Sequence, residues 1–104
     1  MIRISFFENN GLISGFESKG HSMSAEHGYD IICAAVSSAC YMAANTVTEI
    51  ISLEADAAAS DGYMRLEIKS SKEKAQDILK GLKLHLTELE KQYPENIKVI
   101  ITEV

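Results

Sequence analysis

The amino-acid sequence predicts a single α+β domain, in which two helices cover a five-stranded, mostly antiparallel sheet. The chain has 104 residues, of which 46% are hydrophobic, so one domain with one core is expected over residues 1–104. Two pairs of short alternating segments are each joined by a turn signal, and two longer segments have helical periodicity. Their order is ββαββαβ, and helices of this length need an apolar sheet face to cover.

The N-terminal residues predict a β-hairpin. Ile2, Ile4 and Phe6 alternate with other side chains, which is the pattern of a strand with one buried side. Asn9-Asn10-Gly11 then supplies residue types that adopt positive φ readily, as a tight hairpin turn requires. Residues 12–18 are therefore expected to return as the second strand.

The next segment is predicted to be a long loop followed by a helix. Residues 19–29 contain two glycines and two histidines without any periodicity, so we expect a loop that is mobile when no substrate is bound. Asp30 is a residue type that caps helix N-termini, and residues 31–51 are apolar or small on most sides. The sequence thus predicts a helix buried against the sheet and a partner chain.

The C-terminal half predicts a second hairpin, a second helix and a final strand. Residues 53–58 and 63–69 are strand candidates joined by the turn signal Ser60-Asp61-Gly62. Ser70-Ser71-Lys72-Glu73 has the pattern of a capping box, which predicts the start of a helix that ends before the single proline. Residues 97–104 alternate again and are expected to complete the sheet.

Charge and hydropathy restrict the partners of this domain. With 15 acidic and 10 basic residues and a pI of about 5.1, the surface should repel phosphate backbones, so direct nucleic-acid binding is disfavoured and a basic partner is favoured. We find no apolar run of signal-peptide or membrane-span length. The expected location is therefore the cytoplasm, without membrane contact.

Two cysteines are the first candidates for chemistry. Cys33 is predicted in the first turn of its helix, where free amides and the helix dipole favour an anion, so it is the candidate nucleophile. The alternative interpretation is a small buried hydrophobic residue. Cys40 is predicted two turns deeper among apolar side chains, and about 10 Å of helix rise separates the two thiols, which is beyond disulfide reach.

Two histidines that precede Cys33 in the sequence are candidates for the second half of a catalytic pair. His21 follows Gly20 in the predicted loop, and an imidazole beside a thiol is the minimal apparatus for thiol acyl transfer. His27 is a rival for that role. Asp30 would either cap the helix, which we favour, or orient the imidazole as a third member. His21, His27, Asp30 and Cys33 could also bind a metal ion, but their spacing matches no compact zinc pattern, so a metal site is disfavoured.

The same residues resemble the signature of a known family. Gly20-His21, Ala25-Glu26, Gly28 and the run from Asp30 to Ser37 are similar to the bacterial ribosomal-processing cysteine proteases called Prp. This resemblance implies a homodimeric cytoplasmic endopeptidase without a cofactor, in which Cys33 is the nucleophile and His21 transfers protons. The implied substrate is the basic precursor of protein twenty-seven of the large ribosomal subunit, whose N-terminal extension is removed.

Two other functional classes remain open at this point. One is a non-catalytic ribosome-assembly or interaction module that holds a buried cysteine, which the reactivity of the Cys33 thiol would distinguish from a protease. The other is a small metal-dependent hydrolase that uses His21, His27 and Cys33, which the metal content of the purified protein would identify.

Overall fold

A computed structural model of the chain describes the backbone of residues 1–20 and 27–104, and the side chains of residues 1–20 and 31–104. The predicted order ββαββαβ is confirmed. A π-helical turn (Thr46–Ile50) follows the first helix, and a 3₁₀ turn (Lys72–Ala75) precedes the second. The main elements are β1 (Ile2–Asn9), β2 (Leu12–Lys19), α1 (His27–Asn45), β3 (Ala55–Ser60), β4 (Tyr63–Ile68), α2 (Gln76–Gln92) and β5 (Ile97–Glu103).

The five strands form one mixed sheet in the order β3-β4-β2-β1-β5. The pairs β1–β2, β2–β4 and β3–β4 are antiparallel, whereas β1 and β5 are parallel. Alternate residues of the strands are buried beneath both helices, so the architecture has two layers, as predicted. Fully buried members of this core include Ile4, Phe6, Phe16, Val36, Leu66, Leu79, Leu86 and Ile97.

The first hairpin has the predicted turn and an additional bulge. Asn10 and Gly11 adopt φ values of 53° and 79°, so they form the two-residue turn that positive φ at both positions permits. Phe7 pairs with Gly15 and the next residue pairs with Ile13, which leaves Ser14 as the extra residue of a β-bulge. The alternation of the first strand is confirmed, since its even-numbered apolar side chains are buried.

Gln76 at the start of α2 supports this bulge. Its side-chain oxygen accepts the amide of Ile13 at 2.9 Å, and its nitrogen donates to the carbonyl of Ile13 at 2.9 Å and to that of Lys72 at 2.8 Å. The pairing of β2 with β4 begins only at Gly15. The buried Gln76 amide therefore supplies the hydrogen bonds that a neighbouring strand does not give to Ile13.

Removing this amide should weaken the fold measurably. Gln76→Ala leaves the buried N–H and C=O of Ile13 without partners, so we expect the free energy of unfolding to fall by about 2–4 kcal/mol. Urea denaturation measures this change, with Gln92→Ala on the exposed end of α2 as the matched control, expected to change it by less than about 0.5 kcal/mol. Equal unfolding midpoints for both variants would contradict the role of Gln76.

The start of α1 differs from the sequence prediction. The helix begins at His27, four residues before the predicted start at residue 31. A helix cap precedes the first helical residue, so Asp30, the fourth residue of α1, is not the N-cap and that interpretation is wrong. The prediction excluded Gly28 from the helix because glycine costs about 1 kcal/mol of helix stability relative to alanine. A long helix tolerates this cost in its terminal turn.

The start of α2 also differs from its prediction. Ser71 adopts a left-handed conformation with φ of 57°, and its side chain makes no capping hydrogen bond, so the predicted capping box is absent there. The amide of Lys74 donates instead to the carbonyl of Ser71, within the 3₁₀ turn. The predicted end of α2 before Pro94 is confirmed.

The helical segment Ile31–Ile50 is 20 residues long and apolar enough to cross a membrane by length and composition alone, contrary to the sequence analysis. The core helix of a soluble protein meets the same criterion. Here one side of the segment packs on the sheet, since Val36, Cys40, Ala43 and Val47 belong to the core. The opposite side is exposed, so the segment is not buried on most sides within a single chain.

Candidate active site

Cys33 lies on the sheet-facing side of α1 and is partly buried. It is the seventh residue of the helix, so it lies in the second turn and not in the first turn that the sequence predicted. The electrostatic influence of a helix end falls off within one turn. The helix N-terminus is therefore expected to contribute little to the reactivity of this thiol.

A cavity of about 170 Å³ opens beside Cys33, where three parts of the fold meet. α1 forms one wall, the end of β2 forms another, and the turn between β3 and β4 closes the third side. The polar groups around it come from all three parts. The lining residues include Ser18, Gly20, Cys33, Ser37, Tyr41, Asp61, Gly62 and Tyr63.

Two glycines hold the end of β2 against the β3–β4 turn. The amide of Gly20 donates to the carbonyl of Gly62 at 2.9 Å. Gly20 has φ of 108°, and a Cβ at this position would overlap the carbonyl oxygen of Met1. Only glycine fits this position without strain. The residue that precedes His21 in the sequence is thereby fixed at the wall of the Cys33 cavity.

Cys40 also contacts this cavity but has a different environment. It is 1% exposed, and burial raises the pKa of its thiol to about 12. A thiol with this pKa remains protonated at neutral pH and acts as a small hydrophobic residue. Both cysteines are free, as predicted. The prediction that Cys40 is a buried residue is confirmed.

The two thiols should differ in their rate of alkylation. Iodoacetamide is expected to modify Cys33 at least about tenfold faster than Cys40 in the folded protein, because thiolate character and access control this reaction. Peptide mass spectrometry measures both rates, and the urea-unfolded chain, in which the rates should converge, is the control. Slow labelling of both thiols at the same rate would show that Cys33 is no more reactive than a core cysteine.

The other predicted site residues are only partly described. His21 lies outside the described residues, and so do residues 22–26 of the predicted loop. His27 and Asp30 lie in the N-terminal turn of α1, but their side chains are outside the description. Among the side chains that are described, no group of three His, Cys, Asp or Glu residues could hold a metal ion.

Sequence reasoning did not select several residues that line the cavity. Ser37 follows Cys33 by four residues, so both lie on the same side of α1, and helical spacing alone could have identified it. Asp61 and Gly62 were interpreted only as a turn signal. Their place near Cys33 depends on the pairing of β4 with β2, which local patterns do not reveal.

Comparison with known proteins identifies the class of this chain. The sequence matches the family described as "Cysteine protease Prp" over residues 1–98. It is 33% identical to the ribosomal processing cysteine protease Prp of Bacillus subtilis over 98 residues, which cover 88% of this chain and 87% of that protein. The chain is therefore a cysteine protease. It belongs to the Prp family, and the non-catalytic module is set aside.

Solved structures agree with this assignment. The ribosomal processing protease Prp from S. aureus in complex with a substrate peptide superposes with a TM-score of 0.88 at 25% identity, covering 98% of this chain and 100% of that one. The same protease with a covalently linked product peptide gives a TM-score of 0.86 at 26% identity, with the same coverage of both chains. The crystal structure of SMU.848 from Streptococcus mutans superposes with a TM-score of 0.85 at 29% identity. The match covers 100% of this chain and 96% of that one.

Proposed function

We propose that this protein is an endopeptidase that removes the N-terminal extension from the precursor of protein twenty-seven of the large ribosomal subunit. The observation that carries this proposal is a partly exposed free thiol, Cys33, at a cavity large enough to admit a peptide group, in a chain of the Prp family. The relatives from B. subtilis and S. aureus are named ribosomal processing proteases, which supports a ribosomal protein as the substrate. The net charge of −5 suits a basic substrate.

In the proposed mechanism, the sulfur of Cys33 attacks the scissile carbonyl and His21 takes the thiol proton. His21 then protonates the leaving amine, which departs as the new N-terminus and leaves a thioester on Cys33. Water hydrolyses the thioester and releases the extension with a free carboxylate. The chain needs no metal ion or organic cofactor for these steps. Asp30 is a further candidate that would orient the imidazole.

The oxyanion of the tetrahedral intermediate needs donors other than the amide of Cys33. Only the first four amides of an α-helix lack acceptors within the helix. Cys33 is the seventh residue of α1, so its amide is bonded inside the helix. The amide of Gly20 is also engaged, because it donates to Gly62. The donors must therefore come from other groups at the cavity or from the segment that contains His21.

We further propose that the protein acts as a homodimer in the cytoplasm. Ile31 and Met42 on α1 are 69% and 54% exposed, although both are large and apolar. A groove between α1 and α2 continues this surface and is lined by Ala35, Ala39, Met42, Ile78 and Leu82. Apolar patches of this kind on small proteins are typical of interfaces. Sedimentation equilibrium should give twice the mass of one chain.

Incubation with the organism's own precursor of protein twenty-seven tests the substrate directly. We expect one new N-terminus, identified by mass spectrometry, and no cleavage of the mature protein that lacks the extension. The Cys33→Ala protein is the matched control and should leave the precursor intact. The proposed substrate would be refuted if the precursor stayed intact with wild-type protein whose Cys33 thiol still reacts with iodoacetamide.

A further inference from the structure

Strand β3 has a free edge with a defined set of outward-facing backbone groups. In the part of the chain that the structure describes, it is the terminal strand of the sheet and pairs only with β4. The amide of Lys69 donates to the carbonyl of Glu54 at 2.8 Å, so this opposed pair is a hydrogen-bonded one. Because such pairs alternate along an antiparallel ladder, Asp56, Ala58 and Ser60 also bond to β4. The N–H and C=O groups of Ala57 and Ala59 therefore point away from the sheet.

The two edges of the sheet differ in the hydrogen bonds that their outward-facing amides make. At the β5 edge, the carboxylate of Glu90 from α2 accepts the amide of Val99 at 2.9 Å, so a helix side chain occupies this edge. Among the described side chains, those of residues 1–20 and 31–104, none bonds to the outward-facing amides of Ala57 and Ala59. Their small side chains also allow another backbone to approach. Of the two edges, β3 is the one that can pair with a further strand.

The free edge is continuous with the Cys33 cavity. A second groove of about 150 Å³ lies between α1 and β3 and is lined by residues that include Ala57, Ala58, Ala59 and Asn45. Tyr41 and Met64 line both this groove and the cavity beside Cys33. Ser60, which ends β3, also lines that cavity. An extended chain lying along β3 can thus reach the nucleophile without leaving the protein surface.

The charge around this path favours one kind of occupant. The segment from residue 46 to residue 62 contains four acidic residues and neither lysine nor arginine. All four are exposed, and Lys69 pairs with one of them, Asp56, at 3.2 Å. An acidic rim beside neutral alanines attracts a basic polypeptide more than a second copy of this acidic chain. The acidic residues are Glu49, Glu54, Asp56 and Asp61.

We propose that the substrate binds as a sixth strand, with its backbone paired to Ala57 and Ala59 of β3, and runs past Tyr41 to Cys33. This inference rests on the proposed function, since the occupant is the basic polypeptide that the protease cleaves. Backbone pairing supplies affinity that is independent of side chains, and the groove near Tyr41 selects the side chains that point into it. Pairing with a fixed strand also keeps the scissile bond extended beside the thiol.

The variant Ala57→Pro tests this pairing. Proline removes the outward N–H of residue 57 and places its ring at the edge, but it does not remove a hydrogen bond to β4. We expect kcat/KM for the precursor to fall at least about tenfold, with an unchanged melting temperature and an unchanged rate of Cys33 alkylation. Ala57→Ser keeps the amide and adds only a hydroxyl, so its kcat/KM should exceed that of Ala57→Pro.

A second measurement uses the wild-type protein and does not depend on the folding of any variant. A peptide that spans the cleavage site is N-methylated at one residue at a time, and cleavage should fall at every second residue of the segment that pairs with β3. Uniform effects, or effects only at the scissile bond, would overturn the proposal. So would an Ala57→Pro protein that folds and cleaves normally.

The possible outcomes separate this inference from the proposed function. If the wild type cleaves the precursor and Ala57→Pro cleaves it equally well, the function stands and the pairing at β3 is refuted. If the wild type cleaves no precursor, the proposed substrate fails, and the inference that depends on it fails too. If Ala57→Pro changes the sedimentation mass and leaves cleavage unchanged, the edge binds a second copy of the chain.

Discussion

Cys33→Ala is expected to reduce precursor cleavage to less than about one part in 10⁴ of the wild-type rate, because the remaining thiol, Cys40, is buried and its raised pKa keeps it protonated. Cys33→Ser should be nearly as inactive, since a hydroxyl in the same place is far less ionised than a thiol. Cys33 contacts the cavity and is only partly buried, so neither change should alter the fold. Single-turnover cleavage of the purified precursor measures the rate.

Cys40→Ala is the matched control for that experiment. The side chain is 1% exposed, so its removal leaves a small cavity that lowers the free energy of unfolding by about 1 kcal/mol. Turnover per folded molecule should remain close to that of the wild type. If Cys33→Ala still cleaved the precursor and Cys40→Ala did not, the nucleophile would be Cys40. Its pKa of about 12 argues against that outcome.

His21→Ala is expected to lower turnover by about 10²–10⁴-fold, the range that general acid–base groups contribute. The second-turn position of Cys33 increases the importance of this residue, because the helix end supplies little of the activation. His27→Ala should lose much less activity. The acidic limb of the pH profile of kcat/KM should change in His21→Ala and stay as in the wild type in His27→Ala.

His21→Gln is a useful companion, since it keeps hydrogen-bonding capacity and cannot transfer a proton at neutral pH. It should be as slow as His21→Ala if the imidazole acts as acid and base. A reversed ranking, with His27→Ala the slower enzyme, would assign proton transfer to His27. Circular dichroism of each variant checks that the loss arises from chemistry and not from unfolding.

The sequence predicted those parts of the fold that local interactions determine. The first hairpin depends on the alternation of Ile2, Ile4 and Phe6 and on a turn at Asn10 and Gly11, all of which act over a few residues. The mixed sheet required more. The parallel pairing of β1 with β5 joins residues at opposite ends of the chain, and no local pattern specifies it.

The errors in the prediction have physical causes of the same kind. The second helix begins at Gln76 after the 3₁₀ turn Lys72–Ala75, and Gln76 bonds to Ile13, which is 63 residues away and which no local pattern identifies. The start of α1 was missed because Gly28 resembles a loop residue in sequence. For the site, residue type and family resemblance selected Cys33, but the cavity beside it depends on three elements that meet only in the folded chain.

The position of β5 has a consequence for biosynthesis. β1 is translated before the other four strands of the sheet, and it lies between β2 and β5, with Ile2 opposite Ile97. The nascent chain can form both hairpins early, but one edge of β1 stays open until β5 has left the ribosome. Such long-range pairing is slow and leaves apolar strands exposed to aggregation in the meantime. Chaperone occupancy during synthesis should therefore persist until β5 emerges.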